Sequence, residues 1–561
     1  MIKKILLIFS FLAIFCLAVL VWYSPVLFKS YAVHPFPDTL ILARNLIQSG
    51  VYGLENNLNV VLAPELVKEQ AQVSSLGNRL TPQIYAEIFK ITGRLSLNQI
   101  SFFACLIHAL ALIFFMMTVK KMWGLKRAVI FGVIYIFLPV QWTMPFLLRS
   151  NYEFATLFFS IFVWLYFGRK NYYRYKTVSW VLAGIFLVLA IMAKEAFALF
   201  VPIFFLYLFG VKKRKELLLL GVSFVVVAGI FWLPGFLNNN AYFNALTTKT
   251  KENVQNSDFL IYGEFFIDPY SYHFQKEEIL TQTRIEGGWN SWKQLSTIKL
   301  LYNAGLRAPT FYERLSIGTF LFFKQIFKLF SLEQTGGPLI FALMFLGLFY
   351  LWKREREKAI LFLVWILGTF FLFAYIVFGS RSHLMDIIFP LVLLISLGFN
   401  FCLEILKEKI NSKKLVLLTH FFLMILVVYN FIQTSHLALT RIYDNSLVLK
   451  VETYAQKIEE NKKISSRDVI AVNEGQSAYQ LNYQTGKSMA IFNAETITKL
   501  LKENKLKKAF EQFGIKYVIG YNKELTKEIV KETGVGVVAE DLLINEPEPS
   551  YFQKMFMNFF R

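Results

Sequence analysis

Charged side chains stand where apolar runs end, and their types define the chemistry on offer. Asp38 sits in "HPFPDTLILARNLIQSG" (34–50), just after a hydrophobic N-terminal run. Arg149 and Glu153 lie in "RSNYE", Lys194 and Glu195 in "AKEA", and Arg381, His383 and Asp386 in "GSRSHLMDIIFP". A fixed carboxylate can activate a hydroxyl or amine as a general base, or ligate a metal. Cations at the same depth can hold a phosphate, with arginine the better shaped donor. Each group also has a plainer reading. Asp38 follows Pro37 and opens a helix, where aspartate is a preferred cap, and the other charges can snorkel or pair with one another. In 237–313, Asp258, Glu264, Asp268, Tyr270 and His273 gather near "GGWNSW". Asp268 with His273 could hold a metal, but their spacing matches no strong ligand pattern, so no metal-ligand set is assigned.

Two helices are expected to position the first of these groups. In 38–49, Ile41, Leu42, Leu46 and Ile47 form one apolar side and Arg44, Asn45 and Gln48 a polar one. In "SLGNRLTPQIYAEIFKITG" (75–93), Ile84, Tyr85, Ile88 and Phe89 make a second stripe, with Glu87 and Lys90 opposite. Such helices can lie on a membrane surface, serving a substrate with its head at the water boundary, or pack against other spans.

The rest of the chain supplies that membrane. Of 561 residues, 56% are hydrophobic and only 17% charged, against about half and a quarter in soluble domains. Runs of about 17–22 apolar residues recur, enough to cross a core of roughly 30 Å. They exclude a water-soluble enzyme. The net charge of +21 resides largely in short loops such as 120–127, 168–176, 211–216, 353–358 and 407–414. That pattern is the positive-inside bias rather than a nucleic-acid surface. Cys16, Cys105 and Cys402 fall inside apolar runs and build no disulfide framework.

Threading by that bias puts the N-terminus inside, with an uncleaved first span over 5–23 and residues 24–98 outside. Spans follow over 100–119, 128–146 and 151–168, then a hairpin over 177–209 that turns outside at "AKEA", then 216–236. After the outer loop 237–313, the segment 314–330 is read as lying flat, because crossing would invert the later basic loops. Spans over 337–352, 359–378, 384–403 and 414–433 complete a polytopic α-helical membrane protein of about eleven spans. The membrane unit is 1–440. Residues 445–561 read as a small extracytoplasmic α/β domain with strands at 468–472, 488–492, 516–521 and 534–539.

Four stretches together resemble the C-superfold membrane glycosyltransferases, closest to the protein O-mannosyltransferase and aminoarabinose (lipid A) transferase branch. They are Asp38, Ala43, Asn45, Gly50 and Tyr52; Pro82, Tyr85 and Gly93; Lys194, Glu195 and Pro202; and Arg381 and Pro390, in that order over roughly 1–433. The resemblance implies a sugar donor on a polyprenyl phosphate, an extracytoplasmic lipid, glycan or protein acceptor, and inversion at the anomeric carbon. It makes Asp38 the base or acceptor-orienting acid and gives the donor phosphate to Lys194 and Arg381, with Arg149 as a further cation. Arg44, Tyr85, Glu195 and His383 would support them. Many members carry a second acid where this chain has Thr39, and the late tyrosine is replaced, with His383 nearby. No cofactor is fixed, and a divalent metal stays open. Two other classes remain: a transporter or flippase of a lipid-linked glycan, which calls for internal repeats and midplane charges, and a non-catalytic assembly scaffold.

Overall fold

The computed structural model describes residues 2–29, 38–54, 60–70, 80–93, 95–143, 152–167, 176–237, 310–331, 335–376, 387–409, 413–442, 445–473 and 475–542. The apolar runs fold as helices, because lipid offers no partner for a free peptide group. Helix α1 (Ile2–Lys29) leads to a segment holding α2 (Asp38–Ser49), β1 (Val60–Val61), α3 (Pro64–Gln70) and α4 (Leu80–Thr92). Next come α5 (Leu97–Trp123), α6 (Leu125–Phe137), α7 (Pro139–Thr143), α8 (Tyr152–Phe167) and α9 (Lys176–Ala193). A 3₁₀ turn (Glu195–Leu199) precedes α10 (Phe200–Gly210), and α11 (Arg214–Leu237) follows. The bundle is completed by α12 (Phe311–Lys328), α13 (Pro338–Arg354), α14 (Arg356–Phe371) with a π turn (Leu372–Ile376), α15 (Ile388–Lys409) and α16 (Lys413–Ile442).

Among the described residues, three helical segments are long and apolar enough to cross a membrane: Leu97–Trp123, Arg356–Tyr375 and Ile388–Leu406. Shorter apolar helices include Tyr152–Phe167, Thr177–Ala193 and Ala196–Gly210. Phe209, Val225, Leu417, Phe421 and Phe422 are exposed on the outside, a surface suited to lipid rather than water. The interior is aromatic, with Trp365 ringed by Phe159, Phe200, Phe204 and Phe389 at centroid distances of 5.0–5.9 Å. Helices α13 and α15 cross at Gly347 and Gly398, where an added Cβ would strike the carbonyl oxygens of Leu394 and Leu343 respectively. Such small-residue crossings let membrane helices associate by close packing.

Two basic runs meet at one end of the bundle. Arg127 donates to the Tyr350 hydroxyl at 2.7 Å and to Glu404 at 3.1 Å. Trp123 donates to Glu355 at 2.8 Å, and Lys358 pairs with the same carboxylate. One expected span differs: the run over 128–146 is helical to Phe137 and restarts as the short α7 at Pro139. Proline lacks an N–H and disfavours helical geometry in Leu138 before it, which is extended.

The remaining residues form α17 (Asn445–Glu460), β2 (Val469–Val472), α18 (Gly475–Thr485), β3 (Ser488–Ile491), α19 (Ala494–Lys502), α20 (Leu506–Phe513), β4 (Ile515–Tyr521), α21 (Lys523–Thr533) and β5 (Gly536–Glu540). The strands overlap the four β-rich runs of the sequence. Their order is β1-β3-β2-β4-β5, with β2, β3, β4 and β5 parallel and helical crossovers between them. Asn493 and Asn522 cap α19 and α21, accepting the Thr496 and Leu525 amides at 2.7 and 2.8 Å. The fifth strand is a guest: Val60 and Val61 pair antiparallel with Ala490 and Met489. Ser488 accepts the Ala63 amide at 2.8 Å beside them. The sheet is thus closed by the segment that follows α1.

Candidate active site

Asp38 begins α2, and its Oδ1 accepts the Thr39 amide at 2.8 Å. The positive end of the helix dipole favours an anion there. The polar side of α2 is inside the protein: Arg44 is 5% exposed and Asn45 fully buried, while Ile47 is exposed. The reason is a partner the helical period does not reveal. Arg44 donates to the backbone oxygen of Asn482 at 2.7 Å and to its Oδ1 at 2.9 Å. Of the two readings the sequence leaves open, packing against other elements is the one seen: α2 lies between the bundle and α18.

Helix α2 packs on α4, which keeps the expected stripe. Tyr85 and Phe89 are buried, and Glu87 and Lys90 pair outside at 2.7 Å. Thr81 donates to the Ala193 carbonyl at 3.4 Å, tying α4 to the end of α9. The Tyr85 hydroxyl donates to Glu153 Oε1 at 2.9 Å. Burial, with the Glu153 charge second, pushes the Tyr85 phenol well above its ordinary range, so it remains a donor. Its ring rests edge-on against Phe103 and Phe154.

Glu153 lies in the first turn of α8 and is 6% exposed. Lys194 is the extended residue between α9 and the 3₁₀ turn. Its ammonium lies 5.7 Å from the centre of the Tyr152 ring, and its charge reaches Glu153. The structure thus joins Tyr85 and Lys194 around Glu153, where α4, α8 and the break after α9 converge. Arg44 departs from this group toward Asn482. Glu195 opens the 3₁₀ turn with its backbone, and its side chain is outside the described residues, as are Arg149, Arg381, His383, Asp386 and all of 238–309. Sequence reading noted Glu153 as a charge at a span end but gave it no partner. An acid opening so apolar a helix was the available signal. Nothing in the sequence pointed to Asn482.

No group of three or more His, Cys, Asp or Glu side chains poised for a metal occurs among the described residues. The acids here that could serve one, Asp38 and Glu153, do not make a ligand set by themselves.

No protein-family model and no curated protein matches the sequence. Solved structures do. The archaeal oligosaccharyltransferase AglB from Archaeoglobus fulgidus, in complex with an inhibitory peptide and a dolichol-phosphate, superposes with a TM-score of 0.54 at 12% identity, over 92% of this chain and 69% of that one. The Archaeoglobus fulgidus oligosaccharyltransferase complex with Zn and sulfate gives 0.53 at 11% identity, over 91% and 67%. ArnT from Cupriavidus metallidurans bound to undecaprenyl phosphate aligns over 94% of this chain and 89% of its own, at 11% identity and a TM-score of 0.40. The chain thus shares the fold of these oligosaccharyltransferase structures.

Proposed function

We propose that the chain transfers a sugar from a polyprenyl-phosphate carrier to a lipid, glycan or protein acceptor on the outer face of the membrane. The observation that carries this reading is the convergence of Glu153, Tyr85 and Lys194 at the end of the bundle that bears α2 and α4, in a fold shared with an oligosaccharyltransferase. An acceptor hydroxyl or amine attacks the anomeric carbon from the face opposite the phosphate. The carbon–oxygen bond to the phosphate breaks, and polyprenyl phosphate leaves with the electron pair. The acceptor's proton passes to Asp38. Lys194, with Arg381 and Arg149, neutralises the charge growing on the departing phosphate, a role for preplaced cations in a dry site. Tyr85 holds Glu153 as a second fixed acid beside Lys194.

The sheet supports the sidedness of this reading. Because β1 pairs with β3, both lie on one side of the membrane, and the chain between them crosses an even number of times. The ten spans expected from the sequence between them, with 314–330 lying flat, agree with an even number. With α1 as the first span, the N-terminus is cytoplasmic, and residues 445–561 form an outer domain beside the membrane unit of 1–440.

The test uses the purified full chain in proteoliposomes charged with lipid-linked sugars extracted from the cells that make it, followed by mass spectrometry. Consumption of a lipid-linked sugar with release of polyprenyl phosphate is expected, and Asp38→Asn should slow it by about 100-fold or more. An unchanged donor pool, or Asp38→Asn turning over at the parental rate, overturns the reading.

A further inference from the structure

The buried polar join between α2 and α18 of the C-terminal domain is the part of the molecule that the reaction scheme leaves unused. Arg44 Nη1 and Nη2 donate to the backbone oxygen and Oδ1 of Asn482. Its Nε and Nη2 also donate to Asn45 Oδ1 at 3.2 and 3.0 Å, and Asn45 Nδ2 donates to the Gly53 carbonyl at 2.9 Å. Asn482 Nδ2 is shared by the carbonyls of Val61, Leu62 and Lys487 at 3.1, 3.1 and 2.8 Å. The next residue, Tyr483, donates its hydroxyl to the Leu95 carbonyl at 2.8 Å, and its ring belongs to the core of the bundle. Arg44, Asn45, Asn482 and Tyr483 are all 5% exposed or less.

Burying a guanidinium is expensive unless every donor is matched. Two surfaces that only had to adhere could do so through apolar contact without that expense. What the planar fork adds is direction: two parallel bonds to one residue fix both the height and the rotation of the helix that carries the arginine. Arg44 stands six residues after Asp38 on that helix, about 9 Å along its axis at 1.5 Å per residue. Fixing one therefore fixes the other.

We propose that Asn482 is a positioning residue for the transfer reaction, setting Asp38 through Arg44, so that the C-terminal domain, through α18, is part of the active-site scaffold. This rests on the proposed function for the role of Asp38, but the join itself does not. In the proteoliposome assay, Arg44→Lys keeps the charge and leaves the bonds from Asn482 to Val61 and Leu62 in place, while removing the fork. Maximal turnover is expected to fall on the order of 100-fold, with the KM for the extracted lipid-linked sugars within about threefold of the parent. Asn482→Ala should do the same; if that variant does not fold, Arg44→Lys decides alone. Undiminished turnover overturns the proposal. So does a raised KM at parental turnover, which would put Arg44 on the donor itself. Hydrogen exchange at residues 38–49 of the full chain separates the two readings. If the parent shows no transfer, the function fails; unchanged exchange of 38–49 in Arg44→Lys refutes the clamp whether or not transfer is seen.

Discussion

Replacing Tyr85 by Phe removes one hydroxyl and almost nothing else, because the ring keeps its contacts with Phe103 and Phe154. What disappears is the 2.9 Å bond to Glu153. Glu153 is 6% exposed, so water cannot readily replace the lost donor. Leaving a buried polar group without its partner costs about 1–3 kcal/mol, which corresponds to a fall in turnover of roughly 5- to 150-fold. The assay is initial-rate release of polyprenyl phosphate from proteoliposomes, for Tyr85→Phe, Glu153→Gln and the double variant. If the two residues act as a pair, the double variant loses little more than the worse single one. Parental turnover by Tyr85→Phe, or fully additive losses in the double variant, refutes the argument that Tyr85 works through Glu153.

Gly347→Leu should disrupt the α13–α15 crossing, since even a Cβ there meets the Leu394 carbonyl. A loss of at least about 1–3 kcal/mol is expected, read as a lower unfolding temperature in detergent. Tyr521 is buried, donates to the Phe492 carbonyl at 2.5 Å, and its phenol is pushed well above the ordinary range by burial. Above about pH 10 the unfolded chain loses this proton and the native chain keeps it, so stability falls as pH rises. Tyr521→Phe should flatten that decline while lowering stability at pH 7, as measured by thermal unfolding on either side of pH 10.

Much of the fold is readable because lipid enforces regularity. Long apolar runs must be helices, and the basic runs that the sequence places together do meet at Arg127, Glu404 and Glu355. The four parallel strands are short β-rich runs bounded by helical periods, and each lies within a residue or two of its expected position. The guest strand was not legible: Val60 and Val61 are too short to carry a period, and their partner comes from the far end of the chain. The same cause hid the fate of α2. Its polar side is correct as a pattern, but a pattern cannot distinguish water from a buried asparagine 438 residues away. Tyr85 and Lys194 were chosen for their chemistry, and it took the packing of α4 against α8 and α9 to put Glu153 between them.

The borrowed strand also sets a timetable for biogenesis. The amide of Ala63 and the hydroxyl of Ser488 that receives it are separated by 425 residues. A ribosome adding about 5–20 residues per second needs about 20–85 s to span that distance. Throughout that interval Val60 and Val61 lack the strand they pair with, until β3 has been made. Closure of the sheet edge at Val60 and Val61 is thereby coupled to synthesis of β3.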